Sequence, residues 1–312
     1  MLRALAADAK LLRCRPVVWV ICAVALLAIG VLATQSVRDM APPTEAQMAM
    51  AEETYRTKLA EWEAEHEQWE QACIDDGGTA EQCAVPAPTP EAYQPWQSDY
   101  SDASRITFLI AAALLGMAMY VAGAMFVGGA FVSGAMTTWL THHPGRLVLT
   151  VSKLIVMGVL ALGVGVLVFG GLLITLNLAA RAWGVPVPDD QFATSLVSAC
   201  RATLLGVFSA VTGAAASFIT RRTALAIGLA AAYVILNRLV VSFNFATGVA
   251  PALDLITQGQ AWVGGTTYLA YWDAGVFREV QIDPTPGGIA WAVLTVLMVA
   301  AALLMQRLRD PQ

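Results

Sequence analysis

The side chains able to do chemistry in this chain are few: three histidines, five cysteines and three lysines. His142 and His143 are neighbours, so on a helix they point apart, and no cysteine or acid lies near them in sequence to complete a zinc-type ligand set. His66 is remote from both. No serine, histidine and acid stand in an arrangement that suggests nucleophilic catalysis. The lysines are Lys10, Lys58 and Lys153, and none follows a glycine, which excludes the phosphate-binding loop of nucleotide motors. No catalytic residue, metal or cofactor is expected on this chain, and an enzyme is the poorer reading. Cys73 and Cys83 flank Asp75-Asp76-Gly77-Gly78, a turn-forming sequence that can bring the two thiols together. On the outer side of a membrane their default state is a disulfide. Cys14, Cys22 and Cys200 read as small apolar residues.

The elements that carry these residues are dictated by composition. The 312 residues are 57% hydrophobic and only 13% charged, against roughly 25% charged in soluble domains, with a mean hydropathy of +0.62. Near-chargeless runs such as Ile106 to Met136 and Leu154 to Ala180 exceed the ~20 residues that cross a bilayer. Apolar runs near Val17 to Thr34, Ile106 to Ser133, Leu154 to Ala179, Leu196 to Ile219, Thr223 to Phe243 and Ile289 to Met305 predict six spans. Continuous runs rather than short alternating strands make them helices. The expectation is an all-α multi-pass protein of the cell membrane, with the lipid bilayer as its surroundings and no nucleic-acid partner.

Six spans put both termini on one side. Placing them in the cytoplasm assigns Arg3, Lys10, Arg13, Arg15, Arg146, Lys153, Arg221, Arg222, Arg307 and Arg309 to short inner segments, as the positive-inside tendency favours. Only Asp8 and Asp310 join them, so the inner side carries +8 and the rest −13, which together make the net −5. Residues 1–16 then form a cytoplasmic interfacial segment, 17–34 the first span, 35–104 an extracellular helical insertion, and 105–312 the remaining five spans.

The first span has a basic lead like that of a secretory signal, but its apolar core is longer and Leu32-Ala33-Thr34 offers no clean cleavage site, so it reads as an uncleaved anchor. Before it, Leu2, Leu5, Leu11 and Leu12 alternate with Arg3, Lys10 and Arg13. That pattern suits a short helix in the headgroup plane, with a frayed tail as the alternative. In the insertion Thr44 can cap a helix that runs to Ala72 and is dense in glutamate. Leu59, Trp62 and Trp69 share one face of it, and that face calls for a partner: the protein's own outer loops, a second copy, or a substrate. Pro86, Pro88, Pro90 and Pro95 make a stiff, extended return to the membrane.

The segment joining the second and third spans contains Ser133-Gly134, Leu140, Pro144 and Arg146, with Lys153 opening the next span. These residues, with the basic Lys10 to Arg15 entry followed by Trp19, resemble the ABC-2 type family of ABC-transporter permeases. The likeness covers most of the chain as architecture and some twenty residues as motif. Members commonly carry a Glu shortly before the Ser-Gly, where this chain has Ala130-Phe131-Val132. The resemblance implies the permease subunit of an exporter, working as a homodimer or heterodimer, and the scarcity of polar residues in the spans suits a hydrophobic or amphipathic cargo. The resemblance also implies a cytoplasmic segment (Thr137, Trp139, Leu140, His142, His143, Pro144 and Arg146) docked on a separate ATP-binding cassette subunit that holds the ATP and Mg. From the residues alone, Thr137 to His143 can form a short amphipathic turn ended by Pro144-Gly145, with Trp139 and Leu140 as apolar contact area and Arg146 as a charge, and the alternative is a tight loop anchored at the interface by Trp139. A membrane sensor or scaffold using its acidic outer region is the other functional class.

Small residues four apart (Ala112/Gly116, Ala124/Gly128, Ala130/Gly134, Ala210/Ala214, Gly213/Ser217) predict close helix packing. Arg201 and Arg238 fall inside the fourth and fifth spans. Two fates are open to them: reaching the outer headgroups, or facing a cavity where Asp254 or an anionic group pairs with them. Between the fifth and sixth spans, Pro251 to Ile256 is expected to dip into the outer leaflet as a short helix, with Trp262, Tyr268, Tyr271 and Trp272 at the membrane surface.

Overall fold

The computed structural model describes residues 2–134, 146–242, 254–273 and 276–308. It divides into two compact units, one of residues 1–37 with 100–312 and one of residues 38–99.

In the larger unit, α1 (Leu2–Arg13) is followed by α2 (Pro16–Asp39). Pro16 takes the first helical position, where its missing N–H costs nothing, and it disfavours helix at the residue before it, which separates the two helices. α5 (Tyr100–Val132), α6 (Arg146–Ala182), α7 (Asp189–Thr220), α8 (Thr223–Ser242), α9 (Leu255–Gly264) and α10 (Pro284–Leu308) complete the helical part. Among the described residues, five helices are long and apolar enough to cross a membrane: α2, α5, α6, α7 and α10. α8 contributes the shorter apolar stretch Thr223–Leu239.

The helices outrun the apolar segments from which they were expected. α5, α6 and α7 have 33, 37 and 32 residues. At roughly 1.5 Å per residue each is about 50 Å long against a hydrocarbon core of about 30 Å, so all three tilt or project beyond it. α6 begins eight residues before the predicted Leu154, and Lys153 therefore lies two turns inside the helix instead of at its mouth.

The most intimate pair is α5 with α7. A Cβ on Gly123 would run into the carbonyl oxygen of Ala210, and one on Gly213 into that of Tyr120. Ser217 Oγ donates to the Ala124 carbonyl at 2.9 Å across the same seam. Ala210 and Ala214 are wholly buried there, so these predicted small pairs do carry helix contact. Gly128 is packed against Thr223 of α8. Gly134 departs from the expectation: it has left α5 with φ +68°, a left-handed conformation suited to glycine, and ends the helix rather than packing it. Around the seam Phe126, Phe218, Leu115, Met119 and Phe108 close a single apolar core. The face α2 turns outward is aliphatic, with Val20, Val24, Leu27 and Val31 all exposed, as suits a lipid neighbour.

One feature lies outside the all-α expectation. Residues Thr267–Asp273 (β1) and Val276–Ile282 (β2) pair antiparallel, with Thr267 opposite Ile282 and Asp273 opposite Val276. The Thr-Tyr-Leu-Ala-Tyr-Trp run is rich in strand-forming side chains and carries its own signal for this. The predicted short helix is displaced as well: α9 starts at Leu255, and residues 251–253 lie outside the described set.

The smaller unit is built on α3 (Glu45–Asp75), opened by a reciprocal capping box between Thr44 and Gln47. The chain turns at Gly77 (φ +95°), forms α4 (Ala80–Cys83), and returns through Ala84–Thr89 to a short 3₁₀ turn at Pro90–Tyr93. A disulfide joins Cys73 to Cys83, and Gly78 packs against both sulfurs. Trp62 Nε1 donates to the Val85 carbonyl at 3.0 Å, and the Val85 N–H donates to Glu70 at 3.0 Å. The proline-rich return is thereby strapped to the face bearing Leu59, Trp62, His66 and Glu70. Of the predicted apolar face, Leu59 and Trp62 are half-buried while Trp69 stays 40% exposed.

Replacing Gly213 by leucine is expected to cost more than the 1–3 kcal/mol of ordinary overpacking, because the new side chain meets backbone that cannot yield. Thermal unfolding in detergent should show a large loss of stability or no folded protein. Gly163, with open space at its Cβ position, should accept alanine with unchanged or slightly higher stability.

Candidate functional site

Of the segment singled out in the sequence, Thr137, Trp139, Leu140, His142, His143 and Pro144 lie outside the described residues, and Arg146 is described only as the first residue of α6. The structure describes what flanks them.

At the end of the bundle where α6 begins, α1 lies against it. Leu12 is buried, Leu5 and Leu11 pack on the core, and Lys10 and Arg13 stay exposed. The amphipathic helix expected here is present, and the frayed alternative is not. Its inward face holds Asp8, only 4% exposed, which reaches α6. Lys153 Nζ lies 2.6 Å from Asp8 Oδ1, and Ser152 Oγ donates to Asp8 Oδ2 at 2.6 Å. The Lys153 ammonium also sits 5.0 Å from the centroid of the Phe126 ring on α5, and the Arg15 guanidinium 5.8 Å from the same centroid. Arg15 Nη1 donates to the Met125 carbonyl at 3.1 Å, in space that a Cβ on Gly129 would take. Through the buried Asp8–Lys153 pair and Phe126, three elements, α1, α5 and α6, are thus tied together at the end of the bundle where α6 begins.

Asp8 was counted in the sequence only as one of two inner acids. Its role had a faint signal: an acid in the first turns of a basic amphipathic helix, on the same face as Leu5 and Leu12. It supplies the carboxylate that pairs with Lys153.

At the other end of the bundle, Arg201 of α7 stacks on Trp262 of α9, its guanidinium 5.0 Å from the ring centroid. The pair exchanges hydrogen bonds: Arg201 Nη1 donates to the Trp262 carbonyl at 3.4 Å, and Trp262 Nε1 to the Arg201 carbonyl at 3.2 Å. Trp262 accordingly packs on the core. Tyr268 is 60% exposed, and the side chains of Tyr271 and Trp272 lie outside the described set. Arg238 is exposed on α8.

Asp254 is 1% exposed and caps α9. It accepts from the Ile256 and Thr257 N–H groups at 3.1 and 3.0 Å, from Thr257 Oγ1, and from Asn237 Nδ2 of α8 at 2.9 Å. Tyr233 Oη accepts from the Leu255 N–H at 2.9 Å, and Trp291 Nε1 of α10 donates to the Leu255 carbonyl at 3.0 Å. Asp254 therefore anchors the start of α9 between α8 and α10 through uncharged donors, with Arg201 engaged elsewhere.

Among the described residues, no three of His, Cys, Asp and Glu stand close enough together to hold a metal ion. An open groove of about 480 Å³ runs between α6, α7 and α10, lined entirely by aliphatic residues and Gly158, including Leu154, Leu162, Leu204, Val211 and Val299. Compared with known proteins, the chain matches no family model, no curated protein and no solved structure.

Two expectations follow. Asp8→Ala or Lys153→Met alone should destabilise the fold by about 3–5 kcal/mol, since each leaves a buried charge without its partner, whereas Asp8→Leu with Lys153→Met should recover most of that loss. Unfolding midpoints of the four proteins decide it. For Arg201→Ala and Trp262→Ala, a double-mutant cycle should return a coupling of about 1 kcal/mol; zero coupling would mean that the stacked pair contributes nothing to holding α9.

Proposed function

We propose that this chain is the membrane-spanning permease subunit of an ATP-driven exporter of the ABC-2 type. In this reading it has six spans with both termini in the cytoplasm, and it pairs with a second permease chain. The residues 137–146 form the docking segment for an ATP-binding cassette subunit, on which Mg-ATP is bound and hydrolysed.

The observation that carries the reading is the buried Asp8–Lys153 pair, which ties α1 to α6, the helix that Arg146 opens. A docking segment is useful only if its displacement reaches the spans. Here it connects two helices of 33 and 37 residues, stiff enough to act as levers. Lys153, two turns along the second of them, carries α1 with it, while Phe126 and Arg15 bring in α5. A push on the segment is then shared by three elements instead of being absorbed in one loop. The wholly aliphatic groove between α6, α7 and α10 favours a hydrophobic or amphipathic cargo.

The second reading, a membrane sensor or scaffold, draws on the smaller unit, whose disulfide and strapped return give it a defined surface of its own.

Purification of the full-length chain from its native membranes separates the two. An exporter should bring down an ATPase that is lost when Trp139 and Leu140 are both changed to Asp. Isolation of the parent chain with no ATPase activity, or labelling of residues 137–146 from outside sealed cells, would overturn the exporter reading.

A further inference from the structure

The unit of residues 38–99 holds a second groove, of about 260 Å³, between α3 and the proline-rich return. Its walls are Trp62, Trp69, Tyr93 and Pro86, with the Glu61 carboxylate and the Lys58 ammonium at its rim. Two of the three aromatic side chains, Trp62 and Tyr93, are held in place. Trp62 is stacked on His66 with ring centroids 4.0 Å apart and an interplanar angle of 13°, and its N–H is committed to Val85. Tyr93 packs against Tyr55 at 6.0 Å. These contacts restrain Trp62 and Tyr93, which leaves those two rings little freedom to lose on binding.

Charge sets the kind of occupant. This unit has three basic residues against fourteen acidic ones, a net charge of −11 with histidine neutral. A groove of aromatic faces inside so negative a surface attracts cations, both by the general field and by the ring quadrupoles. Lys58 Nζ lies 2.7 Å from Glu61 Oε2 at the groove's edge, where Glu61, by its hydrogen bond and then by its charge, holds Lys58 above the usual lysine pKa. The pair is half exposed, at 51% and 42%, so it is weak and readily exchanged. Lys58 then serves as a tethered stand-in, and its long flexible stem lets it withdraw into solvent.

We infer that this groove is a binding site for a small organic cation free in solution, of the substituted-ammonium class, held over Trp62, Trp69 and Tyr93 and paired with Glu61 after Lys58 swings aside. The inference does not depend on the exporter reading: it involves neither the segment 137–146 nor an ATPase partner.

Calorimetric titration of the full-length chain in maltoside micelles with benzyltrimethylammonium, corrected for protein-free micelles, tests it. The expected result is saturable binding that weakens with added salt, and binding at least about fivefold weaker for neopentylbenzene, the neutral carbon isostere. Glu61→Gln and Trp69→Ala should each weaken the cation about fivefold. Lys58→Gln should tighten it severalfold, because it frees Glu61 and removes a competing positive charge. That gain of affinity cannot come from misfolding, and an intact Cys73–Cys83 disulfide certifies the two weakened variants. Absence of saturable binding by the parent, equal binding of the isostere, or a Lys58→Gln variant no tighter than the parent would each overturn the proposal.

Discussion

The backbone-to-backbone approach of α5 and α7 is the constraint on which the rest of the membrane unit depends. In lipid, apolar side chains gain little by leaving one hydrocarbon environment for another, so helices are held by close dispersion contact and by the few hydrogen bonds that close contact allows. Gly123 and Gly213 meet the opposite helix's carbonyl groups with no room for a methyl, and Ser217 hydrogen-bonds across the seam. Once these two helices are fixed, α6 lies along α7, α10 packs on α7, and α9 is held between α7 and α10. α2 sits apart from this scheme, with most of its aliphatic surface outward.

The polar contacts of this unit fall into two kinds that do different work. At one end, Asp8 and Lys153 are buried as a full-charge pair with Ser152, and the half-buried Arg15 reaches Met125 and Phe126. A buried ion pair contributes little net stability compared with apolar side chains of the same volume, yet it punishes any separation of its partners. It therefore holds α1 and α6 in register. At the other end, Asp254 is served by uncharged donors and fixes the origin of α9, and Arg201 grips Trp262 from α7. The result is a bundle whose ends are pinned by directional contacts and whose middle is joined by shape.

The smaller unit follows another logic. A chain segment of net charge −11 has little apolar surface to bury and no residue of α3 is fully buried. Order comes instead from the Thr44 capping box, the Cys73–Cys83 bridge, and a proline strap held by Trp62 and Glu70. The bridge closes a short loop, which removes unfolded conformations that the weak core could not otherwise outweigh.

Much of this was legible in the amino-acid sequence. Hydropathy predicts six spans, and five of the described helices are long and apolar enough to cross a membrane, because a run of apolar residues longer than the bilayer is thick has few other stable fates. Thr44, the acidic helix after it and the Cys73–Cys83 pair are local patterns, decided by residues within one turn or one loop of each other. What the sequence could not decide is everything that joins residues far apart. Helix ends were misplaced because helix continues past the apolar run wherever neither Pro nor Gly stops it, as from Arg146 to Lys153. The strand pair was missed because a short aromatic run reads equally as an interfacial loop until its partner strand is found. Asp8 and Lys153 are 145 positions apart, and Arg201 and Trp262 are 61 apart. Hydropathy says which residues leave water, but which charge meets which is settled only when packing brings their helices together.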